Sequence, residues 1–294
     1  MSFRHPGFGA ATMSTPLTLT AGAAIAGLGV YAWYAHSSNT QSDMPVFSSF
    51  GFRSLRLEST ELINHNTKRL RFELPDRTQT SGLSLTSSLL SVSLPKGRWI
   101  PVLRPYTPVN DLNEPGYIEL MVKLYPHGKQ STHLHSLKPG DTVTFAPIPG
   151  YHWTPNQHSH VALIAGGAGI TPMYQLVQGI LRNEEDKTRI TLVWGVNTDD
   201  DIFLQDEFSE LERRYPGRFK AVYAVSSPRE GSPHFTGRVT KEVLEAAGLA
   251  PNRPENKDVK VLVCGPPVME KALKNRKTGV LAQLGYRPDQ IHSF

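Results

Sequence analysis

The sequence predicts an antiparallel β-barrel domain followed by a doubly wound parallel-sheet α/β domain, with a transmembrane helix ahead of both. Three observations carry this. Leu17 to Ala35 is an uncharged run of 19 residues. From Phe50 to about Pro147, short β-like runs are divided by Gly, Pro, Asn and Asp. From Val161 the rhythm becomes strand, helix, strand, helix, as crossover units of a parallel sheet require.

The 294 residues suit about two domains at roughly 100–200 residues each. The expected divisions are a tail at 1–16, an anchor at 17–35, a tether at 36–49, the barrel at 50–152 and the α/β domain at 153–294. Charged residues make up 19% and the net charge is +5, mildly basic and unlike a nucleic-acid binder. The single cysteine, Cys264, excludes an intrachain disulfide, an iron–sulfur cluster and a four-thiolate zinc site. His5-Pro6-Gly7-Phe8 only begins like a haem-binding motif and lacks its second glycine.

Residues 1–42 carry no acid, and Arg4 is their one strong charge. The run Leu17 to Ala35 can just cross a hydrocarbon core at about 1.5 Å per residue, and Tyr31, Trp33 and Tyr34 suit its interface. A signal-peptide core is the competing reading, but such cores are about 7–15 residues long. Ala23 and Gly27 form a small-xxx-small pair. Ser37 to Pro45 is polar and reads as the tether.

In the barrel, strands are expected at Phe52–Leu57, Lys68–Leu74, Leu89–Leu94, Trp99–Pro105, Tyr117–Tyr125 and Thr142–Ala146. Asn64-His65-Asn66 and Pro95-Lys96-Gly97 supply turns. One helical piece, Ser131 to Leu137, precedes the turn Lys138-Pro139-Gly140-Asp141. A Pro/His/Asn-rich loop from Pro149 to His160 marks the boundary. Beyond it, strands are expected at Val161–Ala165, Ile190–Trp194, Lys220–Val225 and Val259–Cys264. Helices are expected at Met173–Arg182, Leu204–Arg214 and Lys241–Ala247.

The stretch VALIAGGAGITPM, Val161 to Met173, organises the chemistry. An apolar strand runs into Gly166, Gly167 and Gly169, where backbone can approach a ligand closely. Thr171 then reads as an N-cap and Pro172 as the first helical residue. Strand, turn and helix N-terminus together offer N–H groups and a positive dipole end to a phosphate. Upstream stands Arg104-Pro105-Tyr106-Thr107 at the end of a barrel strand. Downstream stands Cys264-Gly265-Pro266-Pro267 at the end of the last strand. Gly128-Lys129-Gln130-Ser131 opens the short helix and provides a second cradle of N–H groups.

RPYT, GGAGITPM and CGPP in this order resemble the ferredoxin-reductase superfamily, and within it the NADH–cytochrome b5 reductase family, most closely its fungal mitochondrial form. The resemblance covers residues 50 to 294. It implies bound FAD, NADH as electron donor and cytochrome b5 or a similar haem protein as acceptor. It implies that Arg104 holds the flavin pyrophosphate, with Pro105, Tyr106 and Thr107 along the ribityl chain and ring. Val122, Lys123, Tyr125, Gly128, Lys129, Gln130 and Ser131 are further cofactor contacts by this resemblance, as are Gly166, Gly167, Gly169, Thr171, Pro172, Gly265 and Pro266. Thr171, Cys264 and Lys123 are its catalytic candidates; Cys264 would place the nicotinamide without forming a covalent bond. A packed small apolar residue is the alternative for Cys264.

Three departures stand out. Gln130 replaces a Met, Ala168 replaces a Thr, and Leu85 to Leu90 replaces a Gly-Gln-His segment. Ser226, followed by Ser227, Pro228 and Arg229, occupies the place of an Asp that binds the adenosine ribose, which relaxes discrimination against NADPH. Phe294 matches an aromatic terminus that the family keeps near its active site; a frayed tail is the alternative. His133, His135, His152, His158 and His160 lack interleaved carboxylates at ligand spacing and read as a solvated face, so no metal is expected.

The resemblance implies hydride transfer from nicotinamide to flavin and single-electron transfer onward. It also implies the mitochondrial outer membrane as location, with a soluble form released to the intermembrane space. Two other readings remain: a reductase component for an oxygenase or nitrate-reducing system, and a flavin-binding module without turnover.

Overall fold

Strand β3 (Ser88–Ser93) alternates half-buried and buried residues, whereas β7 (His160–Gly166) is buried along its whole length. A one-sided core produces the first pattern, and helices on both faces of a sheet produce the second. The computed structural model describes residues 44–47, 51–94, 99–250 and 258–294. The anchor, the tail and most of the tether lie outside the described residues. Among the described residues no helix is long and apolar enough to cross a membrane.

The first half is a six-stranded antiparallel sheet. It comprises β1 (Arg53–Asn64), β2 (Thr67–Glu73), β3, β4 (Val102–Tyr106), β5 (Tyr117–Lys123) and β6 (Thr142–Ile148), in the order β4-β3-β6-β1-β2-β5. A single bridge, Pro108 with Leu120, joins the two ends of that order. Val109 N–H donating to the Glu119 carbonyl at 2.9 Å reinforces it. Inside lie Leu55, Leu57, Leu70, Phe72, Leu89, Ile118, Leu120 and Phe145; Phe72 and Phe145 meet edge to face at 5.1 Å. Helix α1 (Lys129–Ser136) seals this core with Leu134.

The fourth strand begins later than the expected Trp99. Trp99 and Ile100 are exposed in a bend, and pairing starts with Val102 opposite Ser93.

The second half is an all-parallel sheet. With β8 (Arg189–Val196), β9 (Phe219–Val225), β10 (Phe235–Thr236), β11 (Val259–Cys264) and β12 (Ile291–Ser293), its order is β10-β9-β8-β7-β11-β12. Chain order runs one way from β7 to β10 and then jumps to β11 on the other side of β7. That reversal puts a crevice at the C-terminal ends of β7 and β11. One face packs on α2 (Ile170–Arg182) and α3 (Gln205–Arg214) through Leu176, Ile180, Trp194 and Phe208. The other packs on α4 (Lys241–Ala246), α5 (Pro267–Lys274) and α6 (Val280–Leu284) through Ile164, Val261, Leu244, Leu273 and Leu281.

Two expectations are corrected here. A 3-10 turn over Gly167–Gly169 runs straight into α2, so Gly169 is the N-cap, Ile170 the first helical residue and Pro172 the third. Thr171 therefore lies inside the first turn, its Oγ1 donating to the Ala168 carbonyl at 3.2 Å. Pro is tolerated there because a first-turn N–H has no helical partner to lose. Of the histidines read as a solvated face, His152 is exposed, but His160 and His135 are bonded inward. His160 is buried on β7 with Nε2 2.9 Å from Thr191 Oγ1, and His135 Nε2 lies 2.7 Å from the Val122 carbonyl. Among the described residues no group of His, Cys, Asp and Glu is arranged to hold a metal.

Candidate functional site

Glycine is dictated at the crevice by what faces it. A Cβ on Gly169 would overlap the carbonyl of Cys264, and one on Gly166 would overlap Met269 and Pro266. Gly167 has φ +51°, and a Cβ there would stand 3.1 Å from the Tyr125 hydroxyl. The ends of β7 and β11 therefore meet backbone to backbone, with Gly265 and Pro266 against Gly166. The turn is held from both sides. Ala168 N–H donates to Tyr125 Oη at 3.2 Å, and Trp194 Nε1 donates to the Gly167 carbonyl at 3.0 Å.

Tyr125 thereby joins the barrel to the crevice, close enough for its hydroxyl to feel both Cys264 and Asp201. Burial pushes the Cys264 thiol up to about 12, and the nearby Glu270 carboxylate adds to the shift. The thiol is thus protonated at neutral pH: a neutral contact surface and no nucleophile. Phe294 is not frayed. Its N–H donates to the Val263 carbonyl at 3.3 Å, and its ring lies 5.2 Å from that of His292, beside the end of β11.

On the barrel side, Arg104 is exposed on the edge strand β4, and its Nη1 donates to the Leu103 carbonyl at 2.8 Å. Among the described residues no carboxylate pairs with it. Pro105 is exposed beside it, and Thr107 is buried with its hydroxyl 2.9 Å from Ser88 Oγ. Burial raises the Tyr106 phenol to about 12, and both Arg104 and Tyr125 act on it. Tyr106 thus feels the charge of Arg104 on one side and Tyr125 on the other, and Tyr125 is bonded to the glycine turn.

Helix α1 has Gly128 as N-cap and no side chain capping its first N–H groups. A Cβ on Gly128 would overlap Ser131 Oγ, which donates to the Gly128 carbonyl at 3.0 Å and accepts from Tyr125 N–H at 3.3 Å. Lys129 is exposed. Gln130 turns into the barrel, its Nε2 2.9 Å from both Ser91 Oγ and Ser93 Oγ, while its Oε1 is buried without a hydrogen-bond partner. Ser91 Oγ in turn donates to the Arg104 carbonyl at 3.0 Å. An unpaired guanidinium, uncapped helical N–H groups and a crevice cleared of Cβ atoms are the donor set that a dinucleotide with a flat ring needs. The residues present fit FAD.

Lys123 has a different place from the one expected. Its Nζ lies 2.6 Å from Asp201 Oδ1, and both side chains are buried, at 7% and 3% exposure. Asp201 also accepts from Asn66 Nδ2 at 2.8 Å and Thr198 N–H at 3.1 Å. Burial alone would raise its pKa, but the hydrogen bonds from Lys123 and Asn66 prevail and hold it below the ordinary value. Lys123 is therefore held as a buried cation joining the two halves. Val122 is buried next to it.

Ser226 stands apart, exposed at the end of β9, three strands from β11. Asp199 shapes the loop that follows, accepting from Arg229 N–H at 2.8 Å and Ser232 Oγ at 2.6 Å. Sequence reasoning missed Asp199 and Asp201, whose run of acids suggests a solvated turn. The signal was Thr198, three residues before Asp201: the pair forms a reciprocal capping box.

Two family models match this architecture. The one described as an oxidoreductase FAD-binding domain covers residues 54–151, and that described as an oxidoreductase NAD-binding domain covers residues 163–275. Fold and site thus define an oxidoreductase with a barrel for FAD and a parallel sheet for NAD. The chain is 42% identical over 294 aligned residues to NADH-cytochrome b5 reductase 2 of Emericella nidulans, covering 95% of this chain and 90% of that one. It is 46% identical over 254 residues to the protein of the same name from Pyricularia oryzae, covering 83% and 76%. Among solved structures, the cytochrome b5 reductase domain of Ulva prolifera nitrate reductase superposes with a TM-score of 0.76 at 28% identity, covering 85% of this chain and all of that one. The chain belongs to the NADH–cytochrome b5 reductase family.

Proposed function

We propose that this protein is an FAD-dependent reductase that takes a hydride from NADH and passes single electrons to cytochrome b5 or a similar haem protein. The observation that carries it is the junction of Tyr125, the 167–169 turn and Cys264, which brings the barrel edge to the switch-point crevice of the parallel sheet. FAD, when bound, supplies the conversion of a two-electron donor into single electrons.

The chain's own residues supply binding and position. Arg104 offers a planar, permanently charged fork to a pyrophosphate, and the first N–H groups of α1 offer a second contact to it. The glycine turn lets a nicotinamide approach the backbone beside Cys264, whose neutral thiol fills space without competing for the reacting carbon. Hydride transfer asks no side chain to carry a proton, and the Cys264 thiol, held protonated by burial, is not called on to give one up.

Dual use of NADH and NADPH belongs to this reading. Ser226 presents no carboxylate to repel a 2′-phosphate, and Arg229 lies in the loop just after it. NADPH turnover is expected within about tenfold of NADH, or ~1.4 kcal/mol. A far larger preference for NADH at matched concentration would show that Ser226 is not where the ribose binds.

The apolar run from Leu17 to Ala35 and the resemblance to the fungal mitochondrial form support an anchor in the mitochondrial outer membrane, with a released form in the intermembrane space. Alkaline extraction of fractionated mitochondria tests this; a protein recovered wholly in the soluble matrix contradicts it. The acceptor is tested by following cytochrome b5 reduction at rising ionic strength. A basic chain facing an acidic partner should slow as salt screens steering. A haem protein that stays oxidised while NADH reduces ferricyanide would overturn the assignment of acceptor and leave the flavin chemistry standing.

A further inference from the structure

The two groups offered to the flavin pyrophosphate stand on different elements. Arg104 belongs to strand β4, and the uncapped N–H groups belong to the first turn of α1, where Gln130 is the second residue. Strand β4 stands at the end of the sheet order and pairs along its length with β3. Pro105, next to Arg104, brings no N–H to that pairing. The backbone that carries the guanidinium is thus weakly held by its own ladder. Helix α1 packs against the same strand.

One side chain ties the two elements together. Protein atoms cover Gln130 to 2% exposure, so its side chain offers a cofactor almost no surface to touch. Its Nε2 donates to Ser91 Oγ and Ser93 Oγ, both at 2.9 Å. Ser91 is fully buried and lies in register opposite Arg104. Its hydroxyl donates to the Arg104 carbonyl at 3.0 Å. Two hydrogen bonds therefore connect the first turn of α1 to the backbone of the arginine.

The presence of an amide at this position is itself informative. Gln130 Oε1 is buried without a hydrogen-bond partner, a cost that an apolar side chain of the same length would avoid. Packing gives no reason for that cost, whereas the two bonds of the amide nitrogen do. Water does not reach Gln130 or Ser91 to replace either bond.

We infer that Gln130 is a positioning residue for FAD: through Ser91 it fixes Arg104 relative to the N–H groups of α1. The pyrophosphate then meets a clamp already set, and less of the binding energy goes into ordering it. The inference rests on the FAD-binding reading above.

The test uses the full-length holoprotein in detergent, diluted serially while released FAD is read by its fluorescence. Gln130→Met keeps the length of the side chain and removes both of its bonds. Ser91→Ala breaks the same relay at its second member, and either variant suffices should the other fail to fold. Each is expected to weaken FAD retention by roughly threefold to tenfold, as loss of one or two buried hydrogen bonds would. Because both cut one relay, the double variant should lose no more than the worse single. The phosphorus NMR resonances of bound FAD should shift in every variant while the flavin absorbance maximum stays in place. Wild-type retention in either single variant overturns the inference, as do losses that add in the double variant or phosphorus resonances that do not move. A wild-type protein that takes up no FAD removes the reading and the inference together.

Discussion

Two Lys/Arg–Asp ion pairs of opposite character stand where the halves of the body meet. At the first, Lys123 of β5 meets Asp201 of the nucleotide half at 2.6 Å, with both partners almost wholly buried. Asn66, Thr198 and, at 3.6 Å, His65 also face the carboxylate there. At the second, Arg182 of α2 meets Asp111 of the barrel, also at 2.6 Å, but the side chains are 52% and 29% exposed. Equal distances conceal unequal consequences. Burial turns an ion pair into a condition of assembly, because either partner alone would be a desolvated charge. At an exposed seam, water substitutes for a lost partner at little cost.

The difference can be broken most directly at Asp201. Asp201→Ala leaves Lys123 charged and buried, and is expected to lower stability by ~3–5 kcal/mol. Urea unfolding at neutral pH measures this. The double change Lys123→Met with Asp201→Leu should recover most of that loss, since an apolar pair has no charge to strand. If single and double variants lose the same amount, packing at the seam matters and charge does not.

Next comes the contact between the seams. Gly169→Ala would drive a methyl into the Cys264 carbonyl, an overpacking cost of ~1–3 kcal/mol. It should also weaken nicotinamide nucleotide affinity, because β7 and β11 would be forced apart at the crevice. Nucleotide KM and thermal unfolding, measured on one preparation, separate these effects.

Acid probes the buried seam differently. The folded-state pKa of Asp201 lies below its ordinary value of 3.8. Its contribution is therefore complete above the unfolded-state value and is lost as pH falls through the lowered one. Stability of the wild type should accordingly fall more steeply than that of the apolar double variant below about pH 4. Parallel acid-unfolding curves would contradict this. The smallest effect belongs to the exposed seam, where Arg182→Ala should cost no more than ~1 kcal/mol and leave turnover unchanged.

Much of this architecture was legible in the sequence, for identifiable reasons. β11 falls on the expected Val259–Cys264 because an apolar run interrupted only by Lys260 ends at a Gly-Pro pair, and such boundaries are sharp. The glycine turn was legible as a close approach, though not the element it approaches; only the fold shows that Gly169 faces the carbonyl of Cys264. β12 was not foreseen, since Ile291-His292-Ser293 has neither length nor alternation and becomes a strand by pairing with β11. Lys123 and Asp201 lie 78 residues apart, and no local pattern announces such a pair. Gln130 shows the same limit. Its substitution for a Met was visible, but its bonds to Ser91 and Ser93 depend on how α1 settles against β3.

One measurement bears on the central claim more directly than any other: the visible spectrum of the purified full-length protein, recorded without oxygen before and after NADH is added. The account predicts a yellow protein whose flavin absorbance bleaches on mixing and returns when air or a haem acceptor is admitted. A preparation that stays colourless after incubation with FAD, or one whose colour NADH leaves untouched, would contradict it.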